Sequence, residues 1–323
     1  MTFIMWEHRG KSKRRFTRLI ICLIVGVIVA ECVCRFVFGF GDAPLFQSDE
    51  DYEYIAQPNQ DRFRFLCHYK TNSFCQRSEE PDSIKKRVLG LGDSVIYGGT
   101  WMDQDSLATT IFTNETGIQM LNISCGSWGP DNCVAYLRKH GTFGASAMVL
   151  VCSSHDAYDV MTFEPVVGIY SNYPNKQYVS GLWELIDRYL YPIVKIYVYN
   201  LTHQDSYTPQ YVDPDAQVTQ KARNQQVIKK NREFNPGFNS LKHIADSCQI
   251  PLVVYLHAEL GELEQGEYND MGQDIVNWCD SAEIRIIKGL HTEKPDMYHD
   301  AIHFNEKGQW HLANEMKYSL LHQ

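Results

Sequence analysis

The sequence predicts an α/β fold, with a parallel sheet covered on both faces by helices. Three observations carry that reading. Short apolar runs recur at Arg87–Leu91, Gln119–Ile123, Ala147–Cys152, Pro251–Leu256 and Ile284–Ile287. Longer stretches of helical periodicity stand between and after them, at Asp131–His140, Gly237–Cys248, Met271–Asp280 and Glu306–Leu321. The runs are continuous rather than alternating, the pattern of strands buried on both faces. With 323 residues, 44% of them hydrophobic, the chain is long enough to bury a large core.

The chain opens on a basic tail, residues 1–18, with Arg9, Lys11, Lys13, Arg14, Arg15 and Arg18 against Glu7 alone. Residues 19–40 follow as an apolar run, which as a helix spans roughly 33 Å at about 1.5 Å per residue, enough to cross a bilayer core. Glu31 and Arg35 form an i, i+4 pair near its far end. Positive charge before the span places the N-terminus in the cytoplasm and the body outside it. A cleaved signal peptide is the rival, but no small-x-small site follows the apolar core and Glu31 precedes Cys32. The segment therefore reads as an uncleaved anchor.

Residues 41–85 are polar and mixed, with alternation through Arg62–Tyr69 that predicts a short strand or hairpin. They read as a connector packing on the main domain. That domain spans 86–323. Its first strand ends at Gly92-Asp93-Ser94, and a helix is expected from near Ser106 after the Gly98-Gly99-Thr100 turn. The second strand ends at Gly126, Asp131 is the expected cap of the next helix, and the third strand ends at Ser154-His155-Asp156. Residues 157–232 form a less regular, cap-like insertion rich in tyrosine, whose rings either face sugars or pack the cap onto the domain. Within it, 217–232 reads as an exposed helix or loop.

The net charge is −9, and the basic tail conceals a body more acidic still, which argues against nucleic acid as a partner. Of ten cysteines, the equally spaced Cys67/Cys75 and Cys125/Cys133 are candidate disulfides outside the cytoplasm, with ordinary buried thiols the preferred reading. No Cys-x-x-Cys clamp appears. His299 and His303 are spaced i, i+4 beside Asp300, but no Glu follows His299 as a zincin requires, so no metal and no cofactor are expected.

Four fragments at or near strand ends read together as one site for ester chemistry. Ser94 supplies a hydroxyl nucleophile, His303 a base, and Asp300, three residues earlier, an acceptor that fixes the imidazole tautomer. Backbone N–H groups of Ser94 and Gly126, with a side-chain donor from the third strand end, provide an oxyanion site. A Gly-x-Ser-x-Gly elbow is absent, since Ile96 stands two residues after Ser94, which disfavours an ordinary α/β-hydrolase.

These residues resemble the SGNH (GDSL-like) hydrolase superfamily. Gly92-Asp93-Ser94 matches its first block, Gly126 its second and Asp300-x-x-His303 its last, over about 86–323. The anchor with Glu31 and Arg35, the Gln57-Pro58-Asn59 segment and the Asn72-Ser73 segment look like membrane-anchored bacterial members. The resemblance implies a flavodoxin-like three-layer α/β/α fold, no metal, and esterase, lipase or carbohydrate acyl-esterase activity. One departure stands out: the family's third block reads Gly-x-Asn-Asp, and here His155 takes the place of the Asn that donates to the oxyanion. The expectation is a serine esterase held in the inner membrane, its catalytic domain in the periplasm, acting on an acylated carbohydrate or small ester. Alternatives are an O-acyltransferase in cell-surface polysaccharide synthesis and a non-catalytic glycan-binding relative.

Overall fold

The computed structural model describes residues 2–202 and 233–322, with side chains from Arg14 onward. The expected polar segment 217–232, with Tyr207 and Tyr211, lies outside them. The chain divides into two compact units. One holds residues 2–43, 64–66 and 177–202, and the other 44–63, 67–176 and 233–322. The insertion expected at 157–232 is thus shared, with 157–176 in the second unit and 177–202 in the first.

In the first unit, helix Thr2–Phe36 contains a stretch, Arg14–Phe36, long and apolar enough to cross a membrane. Glu31 pairs with Arg35 at 2.5 Å. Its carboxylate also accepts from Ser180 Oγ at 2.8 Å and from the N–H groups of Gly181 and Leu182 at 2.9 and 2.8 Å. Those are the orphan donors at the start of helix Gly181–Glu184, so a residue distant in sequence caps it. That helix continues through a π-helical turn, Leu185–Leu190, into helix Tyr191–Thr202. Buried Glu184 is neutralised by Arg64 at 2.6 Å and Arg188 at 3.0 Å.

The second unit opens with β1 (Phe46–Asp49) and β2 (Glu53–Ala56), an antiparallel hairpin. A second two-stranded sheet joins β3 (Asp61–Arg64) and β4 (Cys67–Lys70), where the sequence predicts a hairpin. The main sheet follows: β5 (Arg87–Gly92), β6 (Gln119–Ser124), β7 (Met148–Cys152), β8 (Leu252–Leu256) and β9 (Arg285–Lys288). All neighbours are parallel, in the order β6-β5-β7-β8-β9. Taken within the sheet this is 2-1-3-4-5, the flavodoxin-like order.

Alternation within each strand feeds two cores. Leu89, Leu91, Leu121, Ile123, Met148, Leu150, Val254 and Leu256 face helices Pro130–His140, Gly237–Cys248 and Asp270–Ser281. Val88, Met120, Val149, Val151, Val253 and Tyr255 face helices Ala108–Thr116 and Glu306–Leu321. Both faces are covered, so most strand positions are apolar; the exception in β6 is buried Asn122, whose amide donates to the Ile96 carbonyl at 3.0 Å and to Thr109 at 3.2 Å. Neither candidate cysteine pair is bridged. Cys67 donates to the Trp101 carbonyl, and Cys125 and Cys133 are buried thiols. Helix Pro130–His140 starts one residue before its expected cap: Gly129 is the N-cap, and Pro130 takes the first turn, where its missing N–H costs nothing.

Candidate active site

Strand register brings the predicted fragments to one edge of the sheet. Gly92 of β5 pairs with Ser124 of β6 and with Val151 of β7. Ser94, Gly126 and His155 therefore leave the sheet side by side at its carboxyl end, where α/β sheets place their sites. Gly92 has φ +154°, and a Cβ there would stand 2.3 Å from the Val151 carbonyl oxygen, so only glycine lets β5 and β7 close at this point. Asp93 then caps the short helix Ser94–Tyr97, its Oδ1 accepting from Val95 N at 2.8 Å.

Ser94, His303 and Asp300 meet in one hydrogen-bonded chain. His303 Nδ1 lies 2.7 Å from Asp300 Oδ2, and Nε2 lies 2.9 Å from Ser94 Oγ. With the Nδ1 proton donated to Asp300, Nε2 is left to accept from the serine hydroxyl. Asp300 Oδ1 takes the N–H groups of Ile302 and His303, both at 2.8 Å. Burial alone would raise the Asp300 pKa; the His303 hydrogen bond and charge, with the two backbone donors, bring it down to about 2. The Trp101 ring stacks on His299 with centroids 5.1 Å apart and meets His303 edge-on at 5.2 Å.

Gly126 is held by its carbonyl, which accepts from the hydroxyls of Tyr54 at 3.0 Å and Tyr173 at 3.1 Å. A Cβ on Gly126 would lie 3.2 Å from the Tyr173 oxygen. Its own N–H faces the Cys125 sulfur.

His155 sits among carboxylates. Its ring is buried, with Nδ1 3.0 Å from Glu259 Oε1 and Nε2 3.9 Å from Asp93 and 3.8 Å from Asp156. Glu259 engages Nδ1, and the carboxylates of Asp93 and Asp156 are the groups nearest Nε2. Burial opposes a charge on this ring, but the carboxylates of Asp156, Glu259 and Asp93 outweigh it and hold its pKa up to about 10. Burial in turn pushes the carboxyls of Asp93 and Asp156 above their usual range.

Sequence reasoning missed two residues, His257 and Glu293. His257 Nε2 meets the carbonyl of Ile302, inside the Asp300–His303 turn, at 2.6 Å, and Nδ1 meets Glu293 Oε1 at 3.0 Å. Glu293 also accepts from Tyr255 at 2.7 Å and from Tyr298. His257 follows β8 directly, and that position at a strand end was the available signal.

No family model matches the chain, and no curated protein matches it. Among solved structures it is similar to the lipase/acylhydrolase from Enterococcus faecalis, at 8% identity over 73% of this chain and 95% of the other, with a TM-score of 0.40. It is similar also to the psychrotrophic esterase EstA from Pseudoalteromonas, at 10% identity over 74% and 98%, with a TM-score of 0.40. A member of the lipolytic protein G-D-S-L family from Veillonella parvula gives 10% identity over 74% and 99%, with a TM-score of 0.38. Strand order and layers, not these alignments, define the molecule: a flavodoxin-like α/β/α protein with a serine–histidine–aspartate chain at the carboxyl edge of its sheet.

Proposed function

We propose that this chain is a membrane-anchored serine esterase of the SGNH (GDSL-like) type that removes acyl groups from a carbohydrate or other ester outside the cytoplasm. The observation that carries the reading is the continuous hydrogen-bonded chain from Ser94 Oγ through His303 to Asp300. Ser94 Oγ attacks the ester carbonyl carbon while its proton passes to His303 Nε2. Asp300 stabilises the imidazolium so formed. The carbonyl oxygen becomes an oxyanion, for which the N–H of Ser94 is the proposed donor, joined by that of Gly126 once it turns from the Cys125 sulfur. The C–O bond then breaks, His303 returns its proton to the leaving alcohol, and water, activated by the same imidazole, releases the acid and restores Ser94. If a sugar hydroxyl takes the place of that water, the same site is an O-acyltransferase.

The test is covalent trapping of the full chain with a fluorophosphonate. Labelling at Ser94 that is lost in His303→Ala supports the esterase, whereas an unlabelled folded protein returns the chain to a binding role. Ser94→Ala should lower turnover of a short acyl ester by something like 10³–10⁶-fold, and an unchanged rate would end the proposal.

A further inference from the structure

Three side-chain atoms converge behind the nucleophile and take no part in its chemistry. They are Asp93 Oδ2, His155 Nε2 and Asp156 Oδ1, all within 4.8 Å of one another. Each residue is fixed through its other polar atom: Asp93 Oδ1 on Val95 N, Asp156 Oδ2 on Ser153 N at 2.7 Å, His155 Nδ1 on Glu259 at 3.0 Å. Both converging carboxylate oxygens lack a hydrogen-bond partner, although Asp93 and Asp156 are each only 1% exposed. Nε2 stands 3.9 and 3.8 Å from them, too far to donate. A triangle of that size has its corners roughly 2.3 Å from its centre, close to the bond lengths of nitrogen and oxygen ligands to a divalent cation.

We propose that Asp93, His155 and Asp156 bind one first-row divalent transition-metal ion. The ion displaces the Nε2 proton of His155, and the two carboxylates with the imidazole so neutralised balance a charge of two. The imidazole favours zinc, iron or nickel over the oxygen-preferring magnesium, calcium and manganese. Glu259, by accepting the Nδ1 proton, presents the Nε2 lone pair to the ion, the arrangement in which a carboxylate orients a ligating histidine. The ion has a positioning role. It ties the third strand end to Asp93, whose other oxygen caps the helix that begins at Ser94.

The full chain in detergent, stripped with a chelator, is titrated with Co²⁺. The expected result is one equivalent bound, with the visible absorption of a nitrogen–oxygen site and no thiolate-to-cobalt charge transfer, and a higher melting temperature. Glu259→Gln should weaken binding about 10–100-fold, and Asp156→Asn should abolish it. Should Asp156→Asn fail to fold, the zinc absorption-edge fine structure of the wild type decides, since the site predicts nitrogen and oxygen neighbours and no sulfur. Absence of stoichiometric binding, binding undiminished in both variants, or a sulfur shell would overturn the assignment. Fluorophosphonate labelling, measured on the same samples, reports separately on the esterase reading.

A different observation carries a second inference, which rests on the anchor reading. Helix Tyr191–Thr202 has no buried residue. Along it and the segment leading into it, Trp183, Leu190, Ile193, Val194, Tyr197 and Leu201 are between 46 and 69% exposed. A helix this apolar, with only Lys195, Asn200 and Thr202 polar, does not face water stably on its apolar sides. Its start is tied to the anchor through Glu31, and its tyrosines and tryptophan suit the headgroup boundary. We infer that residues 181–202 lie in the lipid interface beside the anchor. The full chain is placed in phosphatidylcholine nanodiscs carrying brominated acyl chains, and Trp183 emission is taken as the difference from Trp183→Phe. Quenching by the lipid bromine is expected. Emission quenched only by aqueous iodide, in protein that still copurifies with the discs, would refute the placement and leave the anchor intact; failure to copurify would sink the anchor.

Discussion

At the residue scale, the proposed mechanism makes Asp300 a link between catalysis and acid stability. Its carboxylate sets the His303 tautomer, so Asp300→Asn keeps the shape while presenting the wrong proton to Ser94. Ester turnover should fall on the order of 10³–10⁴-fold, read as kcat with KM little changed. The folded pKa of about 2 lies below the value near 3.9 expected for the unfolded chain. A depressed carboxylate stabilises the fold above the unfolded value, and that stability is lost as pH falls from about 4 through 2. The contribution is about 2 kcal/mol. Urea unfolding of the wild type should therefore weaken over that interval, and the pH slope should be shallower in Asp300→Asn; equal slopes would show that Asp300 is not the group responsible.

At the scale of elements, the segment after the nucleophile helix depends on one buried arginine. Arg77 donates to the carbonyls of Tyr97 at 2.7 Å, of Met102 at 2.6 Å and of Gly99, and lies over the Tyr69 ring at 4.6 Å. Arg77→Met leaves those carbonyls buried without donors and should cost about 3 kcal/mol, measured by denaturant midpoint. A loss under about 1 kcal/mol would show that water replaces the guanidinium. Gly92→Ala should cost a similar amount, because its Cβ would collide with the Val151 carbonyl. The same elements show what sequence could and could not reveal. The central strands were legible because burial on both faces keeps most of their positions apolar, even though β6 also buries Gln119, Asn122 and Ser124. The Ser94–His303–Asp300 hydrogen-bonded chain was legible because such a chain fixes residue types, a serine after β5 and an Asp-x-x-His before the last helix. The β1–β2 hairpin was not, since Phe46–Asp49 carries only one strongly buried residue and leans on partners elsewhere, such as the Pro174 carbonyl that accepts from Phe46 N. The surroundings of His155 were not legible, because alignment to the family's third block gives a position along the chain and says nothing about the Glu259 carboxylate, 104 residues away, that holds the ring.

At the scale of the whole molecule, the open issue is which side of the membrane holds the sheet. The tail before Arg14–Phe36 is basic, and the positive-inside rule counts charges close to a span, so the proposed anchor predicts a cytoplasmic tail. The acidic body does not alter that bias, because acidic residues contribute little to orientation. Cys248 gives a direct reading. It is exposed at the end of helix Gly237–Cys248, whereas Cys125, Cys133, Cys152 and Cys279 are buried in the core. An impermeant maleimide added to spheroplasts should label the full chain, and Cys248→Ser should remove most of that signal. In inverted vesicles the same reagent should leave Cys248 unlabelled until detergent is added. Labelling in inverted vesicles alone would place the serine–histidine–aspartate site in the cytoplasm, and the substrate class would then have to be sought among intracellular esters.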